Sequence, residues 1–385
     1  MKPVVIVGTG LAGYTTAREF RKHDTETPLV LVTADDGTSY SKPMLSNAFA
    51  RGKTPGDLAM ASAADMAAQL DADIRTHRRV ETLDAGARRL TLDDGASIEA
   101  ARIVLGIGAA QIDPGLAGDG VADVHAVNDL GSYAAVRSAL ADARRVVLIG
   151  GGLIGCEFAN DWLRAGYEVT VLDPCDYPMG TMLPPLAGES LRSALTGQGV
   201  RFVAGRAGRA VERDGGALVV HDDAGGRHPA DVVVRAIGLR PQTGLARAAG
   251  LDTNRGISTD RALETSAPGI HALGDCAEVD GVVLPFIMPI NHCARALGAT
   301  LAGERTEVDY PVMPVIAKTP CCPVQLYAPP ATVAGEWSEE QTEGGTRSLF
   351  RDASGRLRGF CLTGAAVQEK GEWIPQVPRT FDNVA

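Results

Sequence analysis

"VVLIGGGLIGCEFA", Val146–Ala159, has the same grammar as a stretch near the start of the chain, "VVIVGTGLAGYTTA", Val4–Ala17. Each is a β-branched run, then three spaced glycines, then a helix-forming segment. A short, nearly continuous apolar run is the pattern of a parallel strand buried on both faces. The surroundings repeat as well. "LAGYTTAREFRKH" has helical spacing and ends on cations, which suit a helix C-terminus, and "PLVLVTAD" follows as a second buried strand. "RRVVLIGGG", "LIGCEFANDWLRAG" and "YEVTVLD" run through the same order. The chain therefore carries two copies of one βαβ unit, and the fold class is α/β.

The 385 residues are enough for two or three domains. Apolar residues make up 45% and charged residues 22%, ordinary values for a globular protein. No apolar run approaches the length a membrane helix needs. Met1-Lys2-Pro3 leads straight into a strand, so the sequence predicts no secretory leader and a cytoplasmic location. A net charge of −10 disfavours nucleic acid as a bulk partner. The seven cysteines are odd in number and show neither C-x-x-C nor C-x4-C spacing. A disulfide framework and a metal site are therefore not expected.

Gly8-Thr9-Gly10-Leu11-Ala12-Gly13 fits G-x-G-x-x-G between a strand and a helix. In such a turn the first glycine makes the tight bend. The second lets the backbone approach a pyrophosphate, and the third lets helix and strand pack closely. The helix N-terminus then offers free N–H groups to the phosphates. Gly150, Gly152, Leu153, Ile154 and Gly155 repeat the pattern. Asp173 ends the strand that follows, where a carboxylate accepts from ribose hydroxyls and repels a 2′-phosphate, favouring NADH over NADPH. The first copy ends Val32-Thr33-Ala34-Asp35 and lacks a clean equivalent. Thr33, the backbone at Ala34, or Asp35 reaching back are the alternatives there.

"TSAPGIHALGDCAE" matches T-x5-A-x-G-D through Thr265, Ala272, Gly274 and Asp275, and by it the chain resembles the two-dinucleotide-binding-domain flavoproteins. "VLGIGA", ending on Gly108 and Ala109, resembles that family's A-T-G-A strand, with Gly106-Ile107 in place of Ala-Thr; "VVVRAIG", ending on Gly238, resembles the strand closing the nucleotide domain. The resemblance covers about residues 1–310. It implies two Rossmann-like domains of the glutathione-reductase type, the first turn for FAD and the second for NAD(H), with Asp275 on the ribitol and Val80 among the cofactor-binding residues. Glutathione-reductase-like members carry C-x4-C after the second strand; here "DGTSYSKPMLSNAF" has no cysteine. Ser41-Lys42-Pro43 instead resembles the Y-x-[RK]-P-x-L segment of NADH-dependent rubredoxin and ferredoxin reductases, where the cation lies against the flavin.

That resemblance implies hydride transfer from NADH to FAD and single electrons to rubredoxin, serving alkane hydroxylation or another rubredoxin-dependent pathway. Lys42, Glu157 and Lys318 carry the chemistry in this reading, with Glu157 opening the second helix near the flavin–nicotinamide junction. His292 is read as a helix-start or packing histidine. Lys42, Arg51, Lys53 and Lys318 are candidates for a basic docking patch. The alternatives are a ferredoxin or flavorubredoxin reductase, an NADH oxidase, or a flavoprotein without turnover; the chain is expected as a monomer or homodimer. The expected domains are 1–115 with 241–312 for FAD, 116–240 for NAD, and a small α+β interface domain over 313–385. Within the last, "EWSEEQTEGGTR" reads as a loop.

Overall fold

The structure is a computed structural model and describes residues 1–384. Ala385, the last residue of the expected C-terminal domain, lies outside the described residues. Two compact units are present: residues 1–41, 57–110 and 239–310 form one, and residues 42–56, 111–238 and 311–385 are grouped in the other.

The first unit is built on a five-stranded parallel sheet, in the order Ile270–Ala272, Arg102–Leu105, Val4–Val7, Leu29–Val32, Ala72–Arg75. Every residue of Val4–Val7 and Leu29–Val32 is buried, as continuous apolar runs require when both faces of a sheet are covered. The helix Leu11–Arg21 packs against the helix Ile287–Leu301. Their approach is close: a Cβ on Gly298 would lie 2.8 Å from the backbone of Glu19. The insert Val80–Asp84, Arg89–Leu92, Ser97–Glu99 is antiparallel, turning at the Asp-Asp-Gly visible in the sequence.

The second unit repeats this plan. Its five-stranded parallel sheet has the order Val124–Ala126, Val232–Arg235, Arg145–Ile149, Glu168–Asp173, Arg201–Ala204. A three-stranded antiparallel insert, Gly208–Asp214, Ala217–Asp222 and Arg227–Ala230, closes over Val147, Ile149, Leu172 and Val233 with Val211 and Val220. Each such buried aliphatic side chain contributes about 1.5–3 kcal/mol.

The tail of the chain is a five-stranded antiparallel sheet, in the order Val315–Ala317, Val324–Tyr327, Leu357–Gly364, Gly345–Asp352, Gly335–Thr342. Phe360, Leu362 and Trp373 anchor its core. One expectation changes here. "EWSEEQTEGGTR" is not a loop: it holds most of the edge strand Gly335–Thr342, the turn after it and the start of the strand Gly345–Asp352. Charged side chains on an edge strand block further strand pairing, and that same composition hides it from an apolar-pattern reading. Trp337 packs edge-on to Phe350, and Glu339 accepts from Ser348 Oγ and Leu186 N. The residues from 311 onward, expected as a domain of their own, have this sheet and core to themselves and pack with 111–238 in the second unit. The helix Pro185–Gly197 lies on the strands Gly345–Asp352 and Leu357–Gly364, and Thr363 Oγ1 donates to Ser190 Oγ at 3.3 Å. No helix among the described residues is long and apolar enough to cross a membrane.

One ion pair pins the central strand of the second sheet. Asp231 accepts from Arg145 Nη2 at 2.6 Å and from the N–H groups of Arg145 and Arg144 at 2.8 and 3.0 Å. The Arg145 hydrogen bond, opposed by partial burial, pulls the Asp231 carboxyl down to about 2. A depressed folded value stabilises above the unfolded value of about 4 and is lost as pH falls through about 2. Asp231→Asn therefore lowers the thermal midpoint at pH 7, and the gap to wild type narrows as pH drops below 4. A gap constant over that range would contradict the assignment.

Candidate active site

The two glycine turns are built alike. Gly8 and Gly150 have φ of +106° and +110°, a region that side-chain-bearing residues rarely adopt. Each abuts the end of the neighbouring strand: a Cβ would lie 2.4 Å from Gly106 O at Gly8, and 2.6 Å from Ala236 O at Gly150. A Cβ on Gly13 would fall 1.9 Å from Gly8 O, and on Gly155 2.0 Å from Gly150 O. The middle glycines are the opposite case. Gly10 and Gly152 are the N-caps of their helices, with neither a side-chain cap nor an acidic first turn, and a Cβ on either would meet nothing within 4 Å. Uncapped helix N-termini facing open space are what a dinucleotide pyrophosphate fills. The residues present fit two such groups, one in each unit.

Around the first turn, Asp35 does reach back. Its Oδ1 accepts from Thr33 Oγ1 at 2.5 Å, from Gly37 N at 2.9 Å and from Thr9 Oγ1 at 3.4 Å. Of the alternatives left by the sequence, this one brings a carboxylate to the glycine turn. Burial, with Asp35 beside it, pushes the Tyr14 phenol up to about 12, and its O–H donates to Gly37 O. Arg78 N donates to Thr33 O and carries the chain to Val80, which pairs with Leu92. Gly274 packs on Ala12, where a Cβ would lie 2.9 Å from the Ala12 Cβ, so Asp275 stands at the turn next to the first helix. Gly108 and Ala109 end and restart the chain beside Gly106, and Gln242 N donates to Gly108 O.

Around the second turn, Asp173 is buried and holds the loop itself. It accepts from Gly151 N and, at 2.8 Å, from Cys175 N. Leu153 and Ile154 open the helix Leu153–Arg164, with Ile154 39% exposed. Gly238 O accepts from Ile112 N at 3.2 Å.

Glu157 does not open that helix. It is the fifth residue, faces inward and is 1% exposed. Its carboxylate accepts from Lys318 Nζ at 2.6 Å, from Lys318 N at 2.8 Å and from Ser46 Oγ. Lys318 Nζ also donates to Pro43 O at 2.7 Å and Ser46 Oγ at 3.1 Å. Two of the three residues expected to carry chemistry thus form one ion pair, with Glu157 buried and Lys318 partly exposed. Pro43 joins them through its carbonyl, and Lys42, half-buried, begins the 3-10 turn Lys42–Asn47 that supplies Ser46. His292 lies inside the helix Ile287–Leu301. Ser46, Asn160 and Asp161 were not singled out in the sequence. For Asn160 and Asp161 the signal was a polar i, i+3, i+4 stripe with Glu157 in an otherwise apolar helix, and Ser46 carried none.

None of the seven cysteines is in a disulfide, and burial pushes every one of their thiols upward. None is poised as a thiolate nucleophile.

Residues 2–299 match the family model for pyridine nucleotide-disulphide oxidoreductases, and residues 307–377 match a rubredoxin binding C-terminal domain. The chain is 49% identical to rubredoxin-NAD(+) reductase of Alcanivorax borkumensis, covering 98% of this chain and 99% of that one. It is 42% identical to rubredoxin-NAD(+) reductase of Acinetobacter baylyi over 95% of each. A crystal structure of a ferredoxin reductase from Rhodopseudomonas palustris superposes with a TM-score of 0.88 at 25% identity, covering 100% of this chain and 98% of that one.

Removing Lys318 strands the buried Glu157 carboxylate. Lys318→Met should cost about 3 kcal/mol in denaturant unfolding, and adding Glu157→Gln should recover part of that loss. Strictly additive losses in this cycle would contradict the pairing.

Proposed function

The chain belongs to the pyridine nucleotide-disulphide oxidoreductase family, and from that premise we propose that it is an NADH:rubredoxin oxidoreductase that uses FAD. The observation that carries the reading is the pair of like-built glycine turns, each ending in an open, uncapped helix N-terminus. When bound, the flavin accepts a hydride from NADH and passes on its two electrons one at a time.

The chain's own residues bind and orient. Gly8–Gly13 take the FAD pyrophosphate on the first helix N-terminus, Asp35 and Thr33 hold its ribose, and Asp275 its ribitol. Gly150–Gly155 take the NADH pyrophosphate, and the Asp173 carboxylate disfavours a 2′-phosphate. Glu157 and Lys318 hold a fixed dipole, with Lys42 as a further cation, a preorganised field for a flavin whose charge changes on reduction. Residues 36–49 hold no cysteine for a flavin-side dithiol, and electrons leave to an external carrier. The 307–377 match and the 49% and 42% identical relatives support rubredoxin as that carrier. We place the reaction in the cytoplasm, where seven free thiols stay reduced.

Under anaerobic conditions the purified holoprotein should, with NADH, bleach the visible band of rubredoxin much faster than that of a plant-type ferredoxin. Equal or faster ferredoxin reduction would overturn the acceptor assignment. An unbleached flavin would overturn the enzyme reading.

A further inference from the structure

The helix Leu153–Arg164 buries three polar side chains on one face: Glu157 at 1%, Asn160 at 2% and Asp161 at 4% exposure. Each receives chain from a distant part of the sequence. Glu157 takes Ser46 and Lys318, Asn160 Oδ1 accepts from Cys321 N at 3.4 Å, and Asp161 takes two consecutive N–H groups, Phe49 N at 2.8 Å and Ala50 N at 3.1 Å. Both Asp161 oxygens are used. Burial pushes the Asp161 carboxyl upward, while the two N–H donors, Arg164 and Arg51 pull it down.

Glu157 and Asp161 are four residues apart, about 6 Å along the helix axis. Ser46 lies in the 3-10 turn Lys42–Asn47, and Phe49 follows only two residues after its end, a short tether. Fixing Phe49 and Ala50 therefore fixes where Ser46 and Pro43 fall on Glu157. The Phe49 ring is clamped as well, with Tyr133, Trp162 and Tyr167 centroids at 5.4, 5.9 and 6.3 Å and the Arg137 guanidinium over it at 5.1 Å. The far end of the segment has its own tie, Tyr133 Oη donating to Lys53 O at 2.9 Å.

We infer that Asp161 is a positioning residue for the Glu157–Lys318 pair: by holding Phe49 and Ala50, it delivers the Ser46 hydroxyl and Pro43 carbonyl to Lys318 Nζ. The redox consequence rests on the proposed flavin reading; the anchoring does not.

The test compares wild type, Asp161→Asn and Tyr133→Phe as holoproteins. Amide hydrogen exchange over residues 46–53 should speed up on the order of tenfold in Asp161→Asn, with residues 153–164 unchanged. The flavin midpoint potential should shift in the same direction as in Glu157→Gln, while Tyr133→Phe keeps the wild-type potential. Unchanged exchange in Asp161→Asn would overturn the anchoring. Faster exchange with an unshifted potential, or an equal shift in Tyr133→Phe, would reduce Asp161 to a merely structural role. If Asp161→Asn does not fold, Asp161→Glu, which keeps the charge but moves it by one methylene, replaces it in the same comparison. Wild-type flavin that NADH fails to bleach would sink the redox reading and leave the exchange result standing.

Discussion

The close approach of a helix to the strand before it, made at Gly8–Gly13 and again at Gly150–Gly155, is the constraint on which the structure depends. A methyl group at Gly13 or Gly155 would overlap a carbonyl oxygen at about 2 Å. Only that contact lets the next helix start directly over the end of its sheet, with its first N–H groups unclaimed. The sheets follow from it. Each glycine strand has a neighbour on both sides, and the turn rests on the end of one of them, at Gly106 or Ala236. Apolar strands buried on both faces hold that stack rigid, and the dipole end of the helix stays aimed at one point in space.

Against this apolar frame, the polar groups of the helix Leu153–Arg164 are expensive. A buried carboxylate such as Glu157 survives because Lys318 and Ser46 satisfy it, and Asp161 because two backbone N–H groups do. A fully satisfied network of this kind fixes geometry more than it adds stability. It draws residues 43–50 and 318–321 onto one helix, segments that no local propensity would bring together.

Much of the fold was legible because its signals are local. Continuous apolar runs gave the parallel strands, and glycine spacing gave both turns, since a steric clash within six residues leaves little choice of residue. The edge strand Gly335–Thr342 was not legible: its charged, solvent-facing side chains erase the alternation that marks a strand. Nor was the cover that the helix Pro185–Gly197 gives to the strands near 350 and 360, a pairing set by shape complementarity between distant segments. The site divided in the same way. Gly10, Gly152, Asp173 and Glu157 could be read from motif and resemblance. Thr33, Ala34 and Asp35 were alternatives that the sequence left open, and the bonds of Asp35 to Thr33 and Thr9 belong to the folded chain alone. Ser46 and Asp161 act on partners more than a hundred residues away, and only the folded chain shows them.

The central claim is that two turns of the same construction hold two different dinucleotides, and reciprocal glycine variants test it most directly. FAD content after gel filtration and NADH-induced flavin bleaching would be measured in Gly13→Ala and Gly155→Ala. The account predicts that Gly13→Ala loses FAD, while Gly155→Ala keeps a full complement of FAD that NADH no longer bleaches at the wild-type rate. FAD lost from Gly155→Ala and retained in Gly13→Ala, or bleaching unaffected by either change, would contradict it.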